Sequence, residues 1–345
     1  MAGLPNMVVG NTTLHRLLRL EVPARKGITM NGLPNMVIGN TTLHRLLRLE
    51  VLGQRRALAA KEAQHVDGAL YVGPVLAEFG HELFLAAQMR CAARNYTAAI
   101  VCSRPGREAL YADFCTKFIP HDIVCESSYL APVPTGSVSE EAKGRYAAPP
   151  GTIPFAQVPY LPPYQVKPVE FVVYGQPDPD FIGVVAVHAR ARPYISPRNW
   201  PVAAWVEALS ALAPIFKGAR VVSIGSPDAA AHVPGTEDMR GLPLDRQMDL
   251  LRSAQLAIGP SSGPMHLASL CKCPHVVWCG GPRPEREETM SRYRKHWNPH
   301  GTPCLAMPWG NWRPPVARVV AWVTHFLKCR AIGTTPVAND SAGDA

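Results

Sequence analysis

The stretch Ala257-Ile-Gly-Pro-Ser261-Ser262-Gly263-Pro264-Met265-His266-Leu267-Ala268-Ser269 decides the fold. An apolar run ends at Ile258 in the manner of a strand. A turn of small residues follows, and a helix opens near Pro264, whose fixed φ suits a first helical turn. The free N–H groups and the dipole at such a start favour an anion, and the hydroxyls of Ser261 and Ser262 add donors. The turn is a fitting seat for a diphosphate. An ordinary αβ turn with a serine cap reads the same way. His266, in the first turn, either donates to a phosphate or ribose or packs inside.

Around this stretch, strands and helices alternate. Strands are expected at Gly183–His188, Ala219–Ile224, Leu256–Ile258 and His275–Trp278. Helices are expected over Trp200–Phe216, Leu244–Ala254, Met265–Cys271 and Pro315–Cys329, with Pro201 at the start of the first. Nearer the N-terminus, Ala69–Val72 is a strand that runs into Gly73-Pro74. Leu83–Arg94 is then a helix, Ala98–Cys102 a strand, Glu108–Phe118 a helix and Ile123–Cys125 a third strand. Between the two series, residues 131–180 hold 11 prolines and little periodicity, so they read as a connection without elements of its own. The alternation predicts α/β architecture with parallel sheets: two Rossmann-like, doubly wound domains, 66–175 and 176–330, with a cleft between them. A basic tail over 1–65 precedes them and a flexible tail over 331–345 follows. Ligands of such sheets bind beyond the carboxyl ends of the strands. No G-x-G-x-x-G and no G-x-x-x-x-G-K-[ST] occurs, which disfavours a dinucleotide dehydrogenase and a P-loop NTPase.

The segment from Leu244 to Gly281 resembles the donor-binding segment of heptosyltransferase-like (GT9-type) GT-B glycosyltransferases, in a phage or bacterial variant. That family usually has Asp-Thr/Ser-Gly-x-x-His-Leu-Ala after the strand; Ser262, Gly263, His266, Leu267 and Ala268 match, and Ser261 stands where the Asp would be. The resemblance is strong over about 240–281, loose over about 69–330 and absent from the tail. It implies a nucleotide-sugar donor in the cleft as co-substrate, no other cofactor, an inverting reaction and no required metal.

Three further stretches supply candidate groups. In His188-Ala-Arg190-Ala-Arg192, the two arginines alternate and so point the same way in extended chain. Guanidinium forks suit phosphate oxygens, and the resemblance implies a basic residue here near the donor phosphates. Tyr71-Val-Gly73-Pro74-Val-Leu-Ala-Glu78-Phe79-Gly80-His81-Glu82-Leu83 lies at the end of the first strand. A transferase acting on a hydroxyl needs a general base, and the resemblance implies an acidic one in the N-terminal domain. Glu78 is the expected base and His81 the second candidate, while Glu78 or Glu82 also reads as a helix-start charge. Asp238, or Glu237 beside it, is a candidate acceptor for a ribose hydroxyl on position alone. Asp178-Pro-Asp180 has a metal-holding D-x-D form but sits in the proline-rich connection. Cys271, Cys273, His275, Cys279 and Cys304 lack the usual zinc spacing. No metal site is expected.

Composition narrows the classes. At 345 residues, 47% hydrophobic, the chain buries a sizeable core; 18% charge and 35 prolines exclude a coiled coil. The longest apolar stretch, about nine residues, cannot span a bilayer, and nine scattered cysteines look like cytosolic thiols, so a cytoplasmic protein is expected. The net charge is +9, but residues 1–65 carry nine Lys/Arg against three Glu, leaving +3 for the other 280. That tail is a near-perfect repeat: residues 3–22 and 32–51 differ only at Val9 versus Ile38. Each copy has a cap, Asn11 or Asn40, before a basic amphipathic helix suited to peripheral contact with a membrane surface or an acidic partner. The expected function is sugar transfer to a hydroxyl of a glycan or lipid-linked saccharide. The alternatives are glycosylation of hydroxymethylated pyrimidines in DNA, or nucleotide binding without catalysis.

Overall fold

The N-terminal half is a four-stranded parallel sheet with one long helix. β1 (Val66–Val72) leads to α1 (Phe79–Ala93), β2 (Tyr96–Ser103) and β3 (Lys117–Pro120), then to a short α2 (Glu140–Arg145) and β4 (Thr152–Pro154). The order across the sheet is β3-β2-β1-β4. The computed structural model describes residues 66–123, 140–155, 169–193, 196–295 and 297–332. The described residues all lie within one unit of the chain, Gln54–Ala345. The repeated tail over 1–65 and, apart from Ala331 and Ile332, the tail over 331–345 lie outside them.

α1 buries Leu83, Phe84, Ala86, Ala87, Met89 and Ala93 together with the polar Glu82, Gln88 and Arg90. A helix buried on more than one face needs cover on more than one side. The sheet covers one side, and a helix of the second half covers another.

The expected helix over Glu108–Phe118 is not formed as such, and the strand expected over Ile123–Cys125 lies, apart from Ile123, outside the described residues. A single 3-10 turn, Glu108–Leu110, is followed by the third strand at Lys117–Pro120. Tertiary bonds take the backbone that a helix would use. The Leu110 carbonyl accepts from Arg90 and Tyr174, each at 3.3 Å, and the Thr116 N–H donates to the Ala99 carbonyl at 2.8 Å. The proline-rich stretch is also less empty than expected, since it contains α2 and β4. β4 is the edge strand of its sheet, where Pro154 is tolerated.

The second half runs β5 (Val185–Val187), β6 (Ala189–Arg190), α3 (Val202–Phe216), β7 (Val221–Ser223), β8 (Ala230–Ala231) and β9 (Glu237–Asp238). It continues through α4 (Leu244–Ser253), β10 (Leu256–Pro260), α5 (Gly263–Leu270), β11 (His275–Cys279), α6 (Arg283–Lys295), β12 (Cys304–Pro308) and α7 (Val316–Ala331). Six strands form a parallel sheet in the order β9-β7-β5-β10-β11-β12, while β6 and β8 make a small antiparallel ribbon. Ranked along the chain, this is the 3-2-1-4-5-6 order of nucleotide-binding sheets, and it reverses between β5 and β10.

Alternation along the strands puts helices on both faces. Val185, Val187, Leu256, Ile258, Val276 and Trp278 join the core with Trp205, Leu212, Val319, Val323 and Phe326 of α3 and α7. Ala186, Ala257 and Val277 face the other way, into the core shared with α4, α5, α6 and the N-terminal half. Trp200, Trp205 and Trp278 fill the first core with ring centroids 5.0–5.5 Å apart. Each such aromatic pair contributes about 0.5–1.5 kcal/mol beyond the area it buries.

The segment leading from one sheet to the other is bonded to a helix of each half. Glu170 N–H donates to Ala87 carbonyl at 3.0 Å, and Tyr174 N–H to Leu270 carbonyl at 3.1 Å. The buried Arg90 donates to the Glu170 carbonyl at 2.9 Å, to Tyr174 Oη at 3.1 Å and to the Asp113 carboxylate. Among the described residues, no helix is long and apolar enough to cross a membrane.

Candidate functional site

Two helices from opposite halves begin against one another. α1 starts after Glu78, and α5 starts after Ser262. A Cβ on Gly80 would stand 3.2 Å from His266 Cδ2, and one on Gly263 would stand 2.7 Å from Phe79 Cδ1 and 3.2 Å from Gly80 N. Glycine at both positions permits this approach. The positive ends of two helix dipoles therefore meet beside the carboxyl ends of β5 and β10, where the strand order reverses.

Neither N-cap side chain caps its own helix. Ser262 Oγ is buried with no hydrogen-bond partner, as is His266 Nδ1. Glu78 instead reaches across to the second half and pairs with Arg192. The His266 ring packs at a tilt, 4.3 Å from Trp297 and 5.4 Å from Tyr293 between centroids, and its pKa is held well below the usual histidine value by burial, then by His81 and Arg198 nearby. The pKa of His81 is also lowered, by burial against the opposing pull of Glu78. Both rings are therefore neutral near pH 7, and each can donate one hydrogen bond and accept another.

The second half adds three guanidiniums. Arg190 is buried and donates to Asn199 Oδ1, while Asn199 Nδ2 donates to the Arg192 carbonyl at 2.7 Å. Asn199 thus fixes the strand end carrying both arginines. Burial, and Arg192 beside it, push Arg190 down to about 10. Arg198 is buried too, donates to the Ser261 carbonyl and lies 4.2 Å over the Trp312 ring. Burial pushes it down to about 10, with Glu78 acting in the opposite sense. In both, burial disfavours the charged form. Tyr293 Oη donates to Ser261 Oγ at 3.2 Å and steadies the same turn.

The loop carrying Glu78 is clamped from behind. Its carbonyls at Val75, Leu76 and Ala77 are each engaged: His121 Nε2 at 2.9 Å, Arg104 Nη2 at 2.8 Å and Arg104 Nη1 at 2.5 Å. Glu82, four residues after Glu78, has a different role. It is fully buried, accepts from Ser103 Oγ at 2.5 Å and Tyr111 Oη at 2.6 Å, and faces Arg107 at 3.5 Å. It anchors α1 to the sheet rather than decorating a helix start.

The structure thus gathers Glu78, His81, Arg190, Arg192, Ser261, Ser262, Gly263 and His266 around one junction. Asp238 stands apart on β9, two strands out from β5, with both carboxylate oxygens accepting from Arg240 at 2.7–2.8 Å. Glu237 pairs with Arg220 at 2.6 Å. Asp178 accepts from the Asp180 N–H at 2.9 Å and pairs with Arg246 at 2.6 Å. Among the described residues, no three His, Cys, Asp or Glu side chains are grouped to hold a metal. Sequence reasoning missed Arg198, Tyr293, Arg104 and His121 as parts of the site. Arg198 had a signal, a basic residue just before Asn-Trp-Pro at a helix start; the other three had none.

In fold, the chain is similar to a glycosyl transferase family 9 protein from Veillonella parvula, with 11% identity and a TM-score of 0.51 over 77% of this chain and 99% of that one. It also matches Escherichia coli ADP-heptose LPS heptosyltransferase II, with 13% identity and a TM-score of 0.46 over 76% and 99% of the two chains. A further match is E. coli heptosyltransferase WaaC with ADP, at 14% identity and a TM-score of 0.33 over 82% of each chain. No protein-family model and no curated protein matches the sequence. The architecture is GT-B: two Rossmann-like sheets with a junction between them.

Proposed function

We propose that this protein is a glycosyltransferase that moves a sugar from a nucleotide-sugar to a hydroxyl of a saccharide acceptor, a glycan or a lipid-linked saccharide. The observation that carries this reading is the meeting of two helix N-termini at the strand-order reversal, around a turn where Ser262 Oγ and His266 Nδ1 are buried without partners. Buried polar atoms of that kind are costly unless a ligand satisfies them. The fold shared with a family 9 glycosyl transferase supports it.

The donor diphosphate rests on the Ser261–His266 turn with Arg198 alongside, and Arg190 and Arg192 neutralise the charge that grows on the leaving group. Before it arrives, Arg192 is paired with Glu78. The diphosphate competes for that guanidinium and frees the carboxylate to act as base, with His81 as the second candidate. The acceptor oxygen then bonds to an oxocarbenium-like anomeric carbon, its proton passes to Glu78, and the bond to the diphosphate breaks with the electron pair on the nucleotide. Inversion at that carbon and independence of metal belong to the same proposal. Asp238 is left out because Arg240 holds both its oxygens.

The test is a thermal-shift panel on the full chain with ADP, GDP, UDP, CMP and their sugar conjugates, followed by labelled-sugar transfer. One nucleotide class should raise Tm selectively. Glu78→Gln should abolish transfer and keep that shift; wild-type transfer by this variant removes Glu78 from the mechanism. Transfer that survives EDTA, and an inverted anomeric configuration in the product, are the further expected results.

A further inference from the structure

Residues 309–315 join β12 to α7 and pass beside the end of β11. Their backbone is bonded there twice: the Trp309 N–H donates to the Cys279 carbonyl at 2.7 Å, and the Gly281 N–H donates to the Gly310 carbonyl at 3.2 Å. Two core tryptophans hold the rest. Trp278 Nε1 donates to the Trp312 carbonyl at 3.2 Å, and Trp200 Nε1 to the Pro314 carbonyl at 2.9 Å. Both indoles belong to the ring cluster on the C-terminal sheet, so the segment is tied to a close-packed part of the fold.

These ties hold Trp312 in an unfavourable conformation. Its φ is +64°, where a bulky side chain is an outlier. A Cβ on Gly280 would stand 2.3 Å from Trp312 N and 2.4 Å from its Cγ, so only glycine admits the segment at that point. Backbone of this kind persists where the surroundings over-determine it, and it gathers at functional sites. Here it delivers the face of an indole to Arg198. The guanidinium carbon lies 4.2 Å from the centre of the Trp312 ring, while Arg198 Nη2 donates to the Ser261 carbonyl. The ring supports the flat face of the guanidinium and the carbonyl fixes its edge. A planar, weakly hydrated guanidinium stacks in this way where an ammonium does not, and burial of Arg198 keeps water from weakening the contact.

We propose that Trp312 is a positioning residue for the donor: its ring sets the Arg198 guanidinium against the Ser261–His266 turn in the orientation that the diphosphate needs. The proposal rests on the glycosyltransferase reading above and adds to it a residue that acts through Arg198 without touching substrate. Its place in the chain gives no hint of this, since Trp312 and Arg198 are more than a hundred residues apart.

The experiment is calorimetric titration of the full chain with whichever of ADP, GDP and UDP raises its Tm, in a double-mutant cycle. Trp312→Leu fills part of the space without a π face and should weaken binding roughly tenfold, the order expected of a desolvated cation–π contact; Trp312→Phe should recover most of that loss. Arg198→Lys keeps a cation but stacks poorly, so adding Trp312→Leu to it should cost less than about twofold more. Should the leucine variant fail to fold, Trp312→Phe carries the cycle, with a loss of roughly threefold that vanishes beside Arg198→Lys. If the nucleotide binds the wild type, and the Trp312 variant either binds it equally well or loses the same factor beside Arg198→Lys, the ring only fills space: the proposal is overturned and the donor reading stands. If none of the three nucleotides raises the wild-type Tm, the donor reading fails and this proposal with it.

Discussion

Glu82→Ala should destabilise the protein severely without touching the proposed chemistry. The carboxylate is fully buried and accepts from Ser103 Oγ at 2.5 Å and Tyr111 Oη at 2.6 Å, with Arg107 at 3.5 Å from its other oxygen. A hydrogen bond to a charged group contributes about 1.5–3 kcal/mol, and breaking a buried pair by removing one partner costs about 3–5 kcal/mol. Truncation leaves two hydroxyls and a guanidinium without their acceptor in a dry place. The expected loss is about 3–5 kcal/mol, against a total stability of about 5–15 kcal/mol. In a chain of 345 residues that lowers Tm by roughly 4–7 °C. Glu82→Gln keeps an oxygen for both hydroxyls and should lose only about 1–2 kcal/mol. The assay is urea unfolding followed by far-UV circular dichroism, because all seven tryptophans lie at residue 200 or beyond and would report chiefly the second half. A loss below about 1 kcal/mol for Glu82→Ala, with the slope m unchanged, would refute the reasoning: the three partners would then be finding water.

Stability should also fall in acid. Burial pushes His188 and His275 down to about 4, against about 6.5 in the unfolded chain, so the unfolded chain binds protons first. Their contribution is complete above pH 6.5 and is lost as pH falls from there to about 4, by up to about 3 kcal/mol for each histidine. A urea midpoint that stays flat from pH 7 to 4.5 would contradict this. Arg104→Ala frees the Leu76 and Ala77 carbonyls that hold the loop before Glu78. Transfer should drop about 10–100-fold while the nucleotide-induced Tm shift is kept, with partial rescue by Arg104→Lys. Gly263→Ala drives a Cβ to 2.7 Å from Phe79 Cδ1, which should cost about 1–3 kcal/mol and weaken nucleotide binding; tight binding by that variant would mean the two helix starts part freely.

The sequence by itself determined most of the architecture of the second half, though not β9, α6 or β12, which had no signal of their own in it. Buried strands such as Val185–Val187 and His275–Cys279 are short apolar runs bounded by turn residues, and α3 repeats its core residues at helical spacing. Local pattern and final structure agree there because both faces of the sheet are buried. The Ser261–His266 turn was legible for the same reason, since a strand end, small residues and a helix start are all local. Where long-range bonds compete with local preference, the sequence was not enough. Residues 108–118 have helical spacing, yet Arg90, Tyr174 and Ala99 take their backbone groups and the chain becomes a turn and a strand. Tertiary structure alone separated Glu78 from Glu82, neighbours on one helix start. One turn of helix aims the first at Arg192 in the other half and buries the second against Ser103 and Tyr111. It also decided that Gly80 faces Gly263 and that the Trp312 ring lies beneath Arg198. No spacing encodes such meetings, because they join residues from separate elements, and the packing of those elements fixes which of them touch.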